Sequence, residues 1–109
     1  MPRIVGKSPK GLIPMRTLEA AADVVRVLGH PHRMRIIELI LSGDHSVGQL
    51  AEALGLPPAA VSQHLGRMKA HGLVSAERLD RQVYYRVVNP IARHMVDCLR
   101  RYGDGRGSG

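Results

Sequence analysis

Residues 49–69, QLAEALGLPPAAVSQHLGRMK, decide the fold, because they have the spacing of two helices joined by a tight turn. Ala51, Gly55 and Val61 reproduce the A-x3-G-x5-V pattern of a helix-turn-helix. A small residue at 51 lets the second helix cross close by, and glycine at 55 permits a turn at positive φ. Pro57 and Pro58 suit the entrance to the second helix, which is predicted over 58–71.

The residues before this pair predict two further helices and a cap for the third. Thr17 is expected to cap the first helix, which ends at Gly29. Pro31 is expected in the first turn of the second helix, which ends at Gly43. Ser46 is the expected cap of the third helix, the first of the pair.

After the pair, the apolar period changes from that of a helix to that of a strand. Residues 73–79 and 82–88 predict two strands joined at Asp80-Arg81, a β-hairpin that we call the wing. Asn89 and Pro90 then open a last helix. The chain therefore predicts a mainly α fold with a β-hairpin wing, a winged helix-turn-helix of order α-α-α-α-β-β-α.

The length and the ends of the chain indicate one domain. A chain of 109 residues suits a single core. Residues 1–16 hold prolines, glycines and basic residues without an acid, and are expected to form a flexible basic arm. Residues 17–102 form the predicted winged helix-turn-helix domain, and the glycine-rich residues 103–109 a flexible tail.

Charge and cysteine content indicate a partner class and a compartment. Sixteen Lys and Arg against nine Asp and Glu leave a net charge of +7, which favours a polyanionic partner. A single cysteine excludes an intramolecular disulfide and fits the reducing cytoplasm. The sequence has no apolar run typical of a signal peptide or a membrane span, so we expect a cytoplasmic protein without a membrane partner.

The second helix of the pair has two different faces. Val61, Leu65 and Met68 share one face and are expected to point into the core. The opposite face is small and polar, and glutamine, arginine and serine there can bond base edges in the major groove or nearby phosphates. Such side chains on an isolated helix are more often only solvated, but the basic wing that follows favours DNA contact. The candidate DNA-binding residues on this helix are Ala59, Ser62, Gln63, His64, Arg67 and Lys69.

The wing supplies further candidates, Arg78, Arg81 and Gln82. Arg81 lies at the predicted tip, where it can contact the phosphate backbone or the neighbouring minor groove. Arg86 lies deeper in the second strand, and it could either contact DNA or pair with Glu77 on the first strand.

These residues resemble the ArsR (arsenic-repressor) family of bacterial winged-helix regulators over about residues 17–102. The matching stretches are LGHPHRMRIIELI (28–40), VGQLAEALGLPPAAVSQHL (47–65), MKAHGLVSAERLDRQVYYRV (68–87) and the closing helix. The resemblance implies a homodimer held by the first and last helices, with residues 61–69 reading a palindromic operator in double-stranded DNA. It implies a transcriptional regulator, expected to be a repressor, with an unidentified effector.

Apolar stripes on the first and last helices agree with that dimer, although packing within one chain would explain them too. They comprise Leu18, Ala22 and Val25, and then Ile91, Met95, Cys98, Leu99 and Tyr102. Cys98 is expected to be a buried small residue, with a disulfide between two copies as the alternative.

Two positions depart from the family pattern. Ala59 stands where relatives often have serine or threonine, so one polar DNA contact is missing. Asp80 stands at the wing tip in place of glycine, and aspartate tolerates the left-handed backbone that such a turn requires.

The metal sites of relatives are not matched, so neither a metal nor another cofactor is expected. The thiolate site would need a cysteine at the start of the third helix, where this chain has residues 45–47, His-Ser-Val. The site on the last helix would need an Asp-x-His pair where this chain has residues 89–91, Asn-Pro-Ile. His94 and Asp97 lie one helical turn apart, but two ligands fall short of the four that zinc usually takes.

The remaining histidines are interpreted as structural or DNA-facing. His30 and His32 flank Pro31 at a helix start, where His30 is expected to cap the backbone. His64 borders the buried face of the second helix of the pair. His71 precedes the glycine at its end, where a cation is favoured.

Other classes of function stay open as alternatives. The chain could be an architectural or non-specific DNA binder, an RNA-binding winged helix, or a winged helix that contacts only proteins. An enzyme is not expected, because no catalytic acid pair, nucleophile–base set or phosphate-binding glycine loop is present.

Overall fold

A computed structural model describes residues 10–106, with side chains as far as residue 103. The elements are α1 (Met15–Leu28), α2 (Pro31–Ser42), α3 (Val47–Leu54), α4 (Pro58–Ala70), β1 (Val74–Leu79), β2 (Gln82–Val87) and α5 (Pro90–Arg106). The predicted order of four helices, a hairpin and a helix is confirmed. In the described part of the chain, every helix is too short or too polar to cross a membrane.

The start of the first helix and the end of the last helix differ from those predicted. Helix α1 begins at Met15 with Pro14 as its N-cap, so the prediction that Thr17 caps it is wrong. Two residues of the expected arm 1–16 therefore belong to this helix, and residues 1–9 lie outside the described residues. Helix α5 runs to Arg106 and so includes the first four residues of the predicted tail, and residues 107–109 again lie outside the description.

The predicted caps at His30 and Ser46 are confirmed, and Asn89, predicted to open the last helix, caps it as well. Each satisfies an amide that the first turn of a helix leaves unpaired. His30 Nδ1 accepts the backbone N–H of His32 at the start of α2. Ser46 and Gln49 exchange side-chain and backbone bonds at the start of α3, a complete capping box. Asn89 Oδ1 accepts two backbone N–H groups in the first turn of α5.

One apolar core underlies the helices and the hairpin. It is built without phenylalanine or tryptophan, and its fully buried large side chains are Leu28, Ile36, Ile37, Leu50, Val61, Leu65, Met68 and Leu73. Helix α4 contributes Val61, Leu65 and Met68, so the prediction for its inner face is confirmed. Because the core holds α4 from one side only, its opposite side stays on the surface.

The wing is a two-stranded antiparallel sheet attached to the helix pair. Leu79 pairs with Gln82 at the tip, where Asp80 adopts φ 59, the left-handed backbone expected of it. An isolated bridge between Ser46 and Tyr84 ties β2 to the segment that leads into α3. This bridge is one of the contacts that hold the wing against the helix-turn-helix.

Candidate nucleic-acid interface

The turn between α3 and α4 sets how the outer face of α4 is presented. Gly55 adopts φ 69 and ψ 33, the left-handed conformation expected at this position. The N–H of Leu56 then bonds the carbonyl of Ala51 at 3.0 Å, which closes the end of α3. Ala51 is buried, as the close crossing of the two helices requires.

The outer face of α4 is open to solvent. Its exposed residues are Ala59, Ser62, Gln63, Gly66, Arg67 and Lys69. Gln63 and Arg67 lie one helical turn apart, so their side chains project from the same stripe. Small residues at 59 and 66 leave the surface between them low. The face therefore has the shape and the hydrogen-bonding groups that a helix needs in the major groove.

His64 is set apart from the other candidates on α4. It is half-buried, and its Nδ1 accepts a hydrogen bond from Nε of Arg33 at 3.2 Å. Its ring also lies against His30 and His32, with centroid distances of 4.7 and 6.0 Å. Burial, followed by the nearby charges of His30, Arg33 and His32, lowers the pKa of His64. This side chain faces α2, not the open stripe.

The three histidines form the cluster that inspection of the sequence missed. Among the described residues they are the one group of three or more potential metal-ligating side chains. His30 and His32 could be paired from the sequence, because they flank Pro31. Their contact with His64 joins two helices far apart in the chain, and no local pattern indicates it.

The wing divides its arginines between two roles. Arg78, Arg81 and Gln82 are exposed at or near the tip. Arg86 is half-buried, and it pairs with Glu77 at 3.1 Å and with Asp44 at 3.0 Å. The sequence left two roles open for Arg86, DNA contact or pairing with Glu77, and the structure shows the pairing.

The end of α4 is tied to α1. Nδ1 of His71, the C-cap residue, lies 3.1 Å from Oδ2 of Asp23. The bond to His71 is the main cause that holds the pKa of Asp23 below its ordinary value, and burial opposes it. Helix α1 is thereby in direct contact with the helix that carries the open stripe.

Apolar side chains remain exposed on α1 and α5. Leu18 and Val25 are 42% and 46% exposed, and Leu99 and Tyr102 are 47% and 65% exposed. Cys98 is also exposed, so the expectation that it packs in the core of its own chain is wrong. The buried residues of α5 are instead Ala92 and Val96. Of the predicted stripe, Ile91 and Met95 pack against the core, whereas Cys98, Leu99 and Tyr102 stay exposed.

Comparison with known proteins places this geometry in a family. Residues 30–76 match the model of the bacterial regulatory proteins of the arsR family. The HTH-type transcriptional repressor SmtB of Mycobacterium tuberculosis is 37% identical over 92 residues, which cover 84% of this chain and 68% of SmtB.

Solved structures agree with the sequence match. The transcriptional repressor PagR of Bacillus anthracis superposes with a TM-score of 0.70 at 30% identity, over 79% of this chain and 99% of PagR. The homodimeric winged helix-turn-helix DNA-binding domain of Mb0332 from Mycobacterium bovis, a possible ArsR-family regulator, gives 0.72 at 25% identity, over 94% of this chain and 93% of that domain. The chain therefore belongs to the ArsR family of bacterial regulatory proteins and is a winged helix-turn-helix, DNA-binding transcriptional regulator.

Proposed function

We propose that this regulator is a repressor that binds a palindromic operator as a homodimer and reads its sequence through α4. The observation that carries the proposal is the exposed stripe of Gln63 and Arg67 above a fully buried floor of Val61 and Leu65. A helix held this rigidly presents the same two side chains to every duplex it meets. Glutamine then favours adenine and arginine favours guanine through paired hydrogen bonds.

Ser62 and Lys69 support the same contact from the sides of the stripe. Both are exposed on α4. A serine hydroxyl can bond a base edge or a phosphate, whereas a lysine near the helix end suits the phosphate backbone. The small side chain of Ala59 lets α4 approach the groove closely but makes no polar contact with the DNA. His64 is half-buried and positions α4, because its ring is hydrogen-bonded to Arg33 of α2.

The wing is proposed to contact the backbone beside the operator. Arg78, Arg81 and Gln82 project from one end of the hairpin, and Arg86 holds the hairpin in place through Glu77 and Asp44. The basic residues of the arm 1–16 add phosphate contacts in the same proposal. These contacts strengthen binding to any duplex and make it sensitive to salt.

The homodimer is proposed to form through α1 and α5. Leu18, Val25 and Leu99 are each more than two-fifths exposed, although they lie on amphipathic helices. Covering them with the same surface of a second copy would remove this apolar area from water. The Mb0332 domain, which shares this fold, is homodimeric. Two α4 helices related by such an axis would match two half-sites about one helical turn, 34–36 Å, apart.

Selection of bound fragments from a random duplex pool, followed by gel-shift competition, tests the proposal. We expect enrichment of an inverted repeat whose half-sites lie one helical turn apart, bound by two chains. A Gln63→Ala variant should lose preference at particular positions of each half-site but keep its affinity for random duplex. Equal competition by the selected site and by random duplex would instead favour an architectural DNA binder.

A further inference from the structure

The N-terminus of α2 and the middle of α4 bring three imidazoles together. The ring centroids of His30 and His64 are 4.7 Å apart, and those of His30 and His32 are 5.4 Å apart. One potential ligand nitrogen from each ring lies within 4.8 Å of the other two. We propose that His30, His32 and His64, the histidine cluster, bind one divalent transition-metal ion such as Zn²⁺.

Local structure constrains the backbone on both sides of the cluster. His30 is the extended N-cap of α2, and Pro31 between the two neighbouring histidines has a fixed φ. His64 sits on α4 directly before the fully buried Leu65. Tetrahedral zinc with bonds of about 2.0–2.1 Å needs ligand nitrogens about 3.3 Å apart. The candidate nitrogens lie within 4.8 Å of one another, so metal binding would have to bring them closer by up to about 1.5 Å.

The chemistry of the cluster suits borderline metals. Neutral imidazole is a preferred ligand of zinc, nickel and copper. Three histidines leave a fourth position for water, as in zinc sites with an open position. All three side chains are half-buried, so an ion can reach them from solvent.

Metal binding must break contacts that the free protein makes. Nδ1 of His64 accepts from Nε of Arg33, and Nδ1 of His30 accepts from the backbone of His32. A neutral ring that accepts at Nδ1 carries its proton on Nε2. An ion at Nδ1 displaces the donor, and an ion at Nε2 moves the ring proton to Nδ1, so either mode ends the bond to Arg33. Metal binding is therefore coupled to the contact between α2 and α4.

Arg33 also limits the affinity of the site. Its Nη1 donates to the carbonyl of Val27 at 2.8 Å, which keeps the guanidinium beside the cluster after the bond to His64 is lost. A positive charge held near a divalent cation weakens binding. The site is accordingly suited to an exchangeable ion and not to a permanent structural one.

Calorimetric titration of Zn²⁺ into the chelator-treated full chain tests the site without DNA. We expect one equivalent per chain, and visible absorption typical of tetrahedral Co²⁺ when that ion is used. His32→Gln should weaken Zn²⁺ binding by at least about tenfold. Changing a group that only supports a metal ligand already costs about 10–100-fold in affinity, and His32 is a proposed ligand itself. The backbone N–H of His32, which donates to Nδ1 of the N-cap His30, is retained in this variant. His94→Gln is the matched control, since His94 is exposed on α5, and it should bind as the wild type does.

Three results would overturn the proposal: no Zn²⁺ binding by the wild type, equal binding by His32→Gln, or an equal loss in His94→Gln. If His32→Gln does not fold, ring NMR signals of His30 and His64 in the wild type decide, because they must move as Zn²⁺ is added. Comparing operator affinity with and without Zn²⁺ then measures the coupling to α4. Only this comparison of operator affinities depends on the proposed function. If the protein bound no operator, the Zn²⁺ titration would still test the metal site.

Discussion

Nε of Arg86 lies 3.1 Å from Oε1 of Glu77 on the facing strand, and Nη1 of the same side chain lies 3.0 Å from Oδ1 of Asp44. The two ion pairs connect both strands of the wing to the segment between α2 and α3. The guanidinium of Arg86 is therefore already paired with carboxylates of its own chain. The exposed Arg81 at the tip is therefore the better phosphate-binding candidate of the two.

Arg81→Ala should weaken binding to the operator and to random duplex by the same factor. The physical reason is that a phosphate contact carries no sequence information. The slope of log affinity against log salt concentration should fall by about 1, as for the loss of one phosphate contact. Arg93→Ala, which removes an exposed arginine from α5, is the control and should leave the slope unchanged. An unchanged slope in Arg81→Ala would remove the tip from the interface.

Arg67→Ala should behave differently from the wing variant. Loss of a side chain that bonds a base edge costs about 1–3 kcal/mol at the operator and relaxes specificity at one position of each half-site. Gel-shift titration against the selected operator and its single-base variants measures both effects. Arg35→Ala is the matched control, because Arg35 is an exposed arginine on α2 that pairs with Glu38. Equal affinities of wild type and Arg67→Ala for the operator would contradict the proposed role of α4.

Leu99→Glu should convert the proposed dimer into a monomer. A carboxylate at the centre of an apolar contact must either lose water or hold the two copies apart. We expect the dimer dissociation constant to rise at least about tenfold, which corresponds to about 1.4 kcal/mol. Sedimentation equilibrium measures it. Leu79→Glu makes the same change at a similarly exposed leucine, 41% against 47%, but on the wing. A dimer of normal strength in Leu99→Glu would place the interface elsewhere.

Two glycines of the helix-turn-helix should respond to alanine with opposite signs. Gly55 has φ 69, and a side chain in left-handed backbone costs about 1–2 kcal/mol of stability. Gly66 lies inside α4 with no atom within 4 Å of an added Cβ, so Gly66→Ala should stabilise the fold by about 0.5–1 kcal/mol. Urea unfolding of both variants checks the signs. A stabilising Gly55→Ala would show that the turn adapts to an ordinary backbone conformation.

Local patterns predicted local structure well and distant contacts poorly. The caps at Ser46 and Asn89 and the left-handed residues at 55 and 80 depend on neighbours within four positions, and all were predictable. The start of α1 was misplaced because the actual N-cap, Pro14, makes no side-chain cap hydrogen bond, so the pattern of capping residues that selected Thr17 does not detect it.

The misjudged side chains have a common cause. Cys98 lies on an apolar stripe, but periodicity alone does not show whether a stripe packs inside one chain or faces outward. The histidine cluster depends on a contact between residues 33 and 64, 31 positions apart, together with the packing of α2 against α4. Spacing within one helix contains no information on such a contact.

The lowered pKa of His64 predicts how stability changes with pH. In the unfolded chain this histidine takes up its proton near the ordinary value of 6.5, whereas the folded protein resists protonation until the pH is lower. The unfolded state therefore binds more protons in the window just below that value, and the free energy of unfolding must fall as the pH falls through it. Above the window, where both states are neutral at this site, its effect on stability does not depend on pH.

Urea unfolding in the presence of a chelator, at about pH 7.5 and about pH 5.5, measures this dependence. His64→Gln keeps an oxygen that can accept from Arg33 but has no titratable group, so its stability should fall less over the same interval. His94→Gln removes an exposed histidine and should retain the wild-type dependence. Asp23, whose pKa is lowered from 3.8, titrates in a more acidic window and does not contribute to this difference. Identical pH dependence in wild type and His64→Gln would mean that burial against α2 leaves the proton affinity of His64 unchanged.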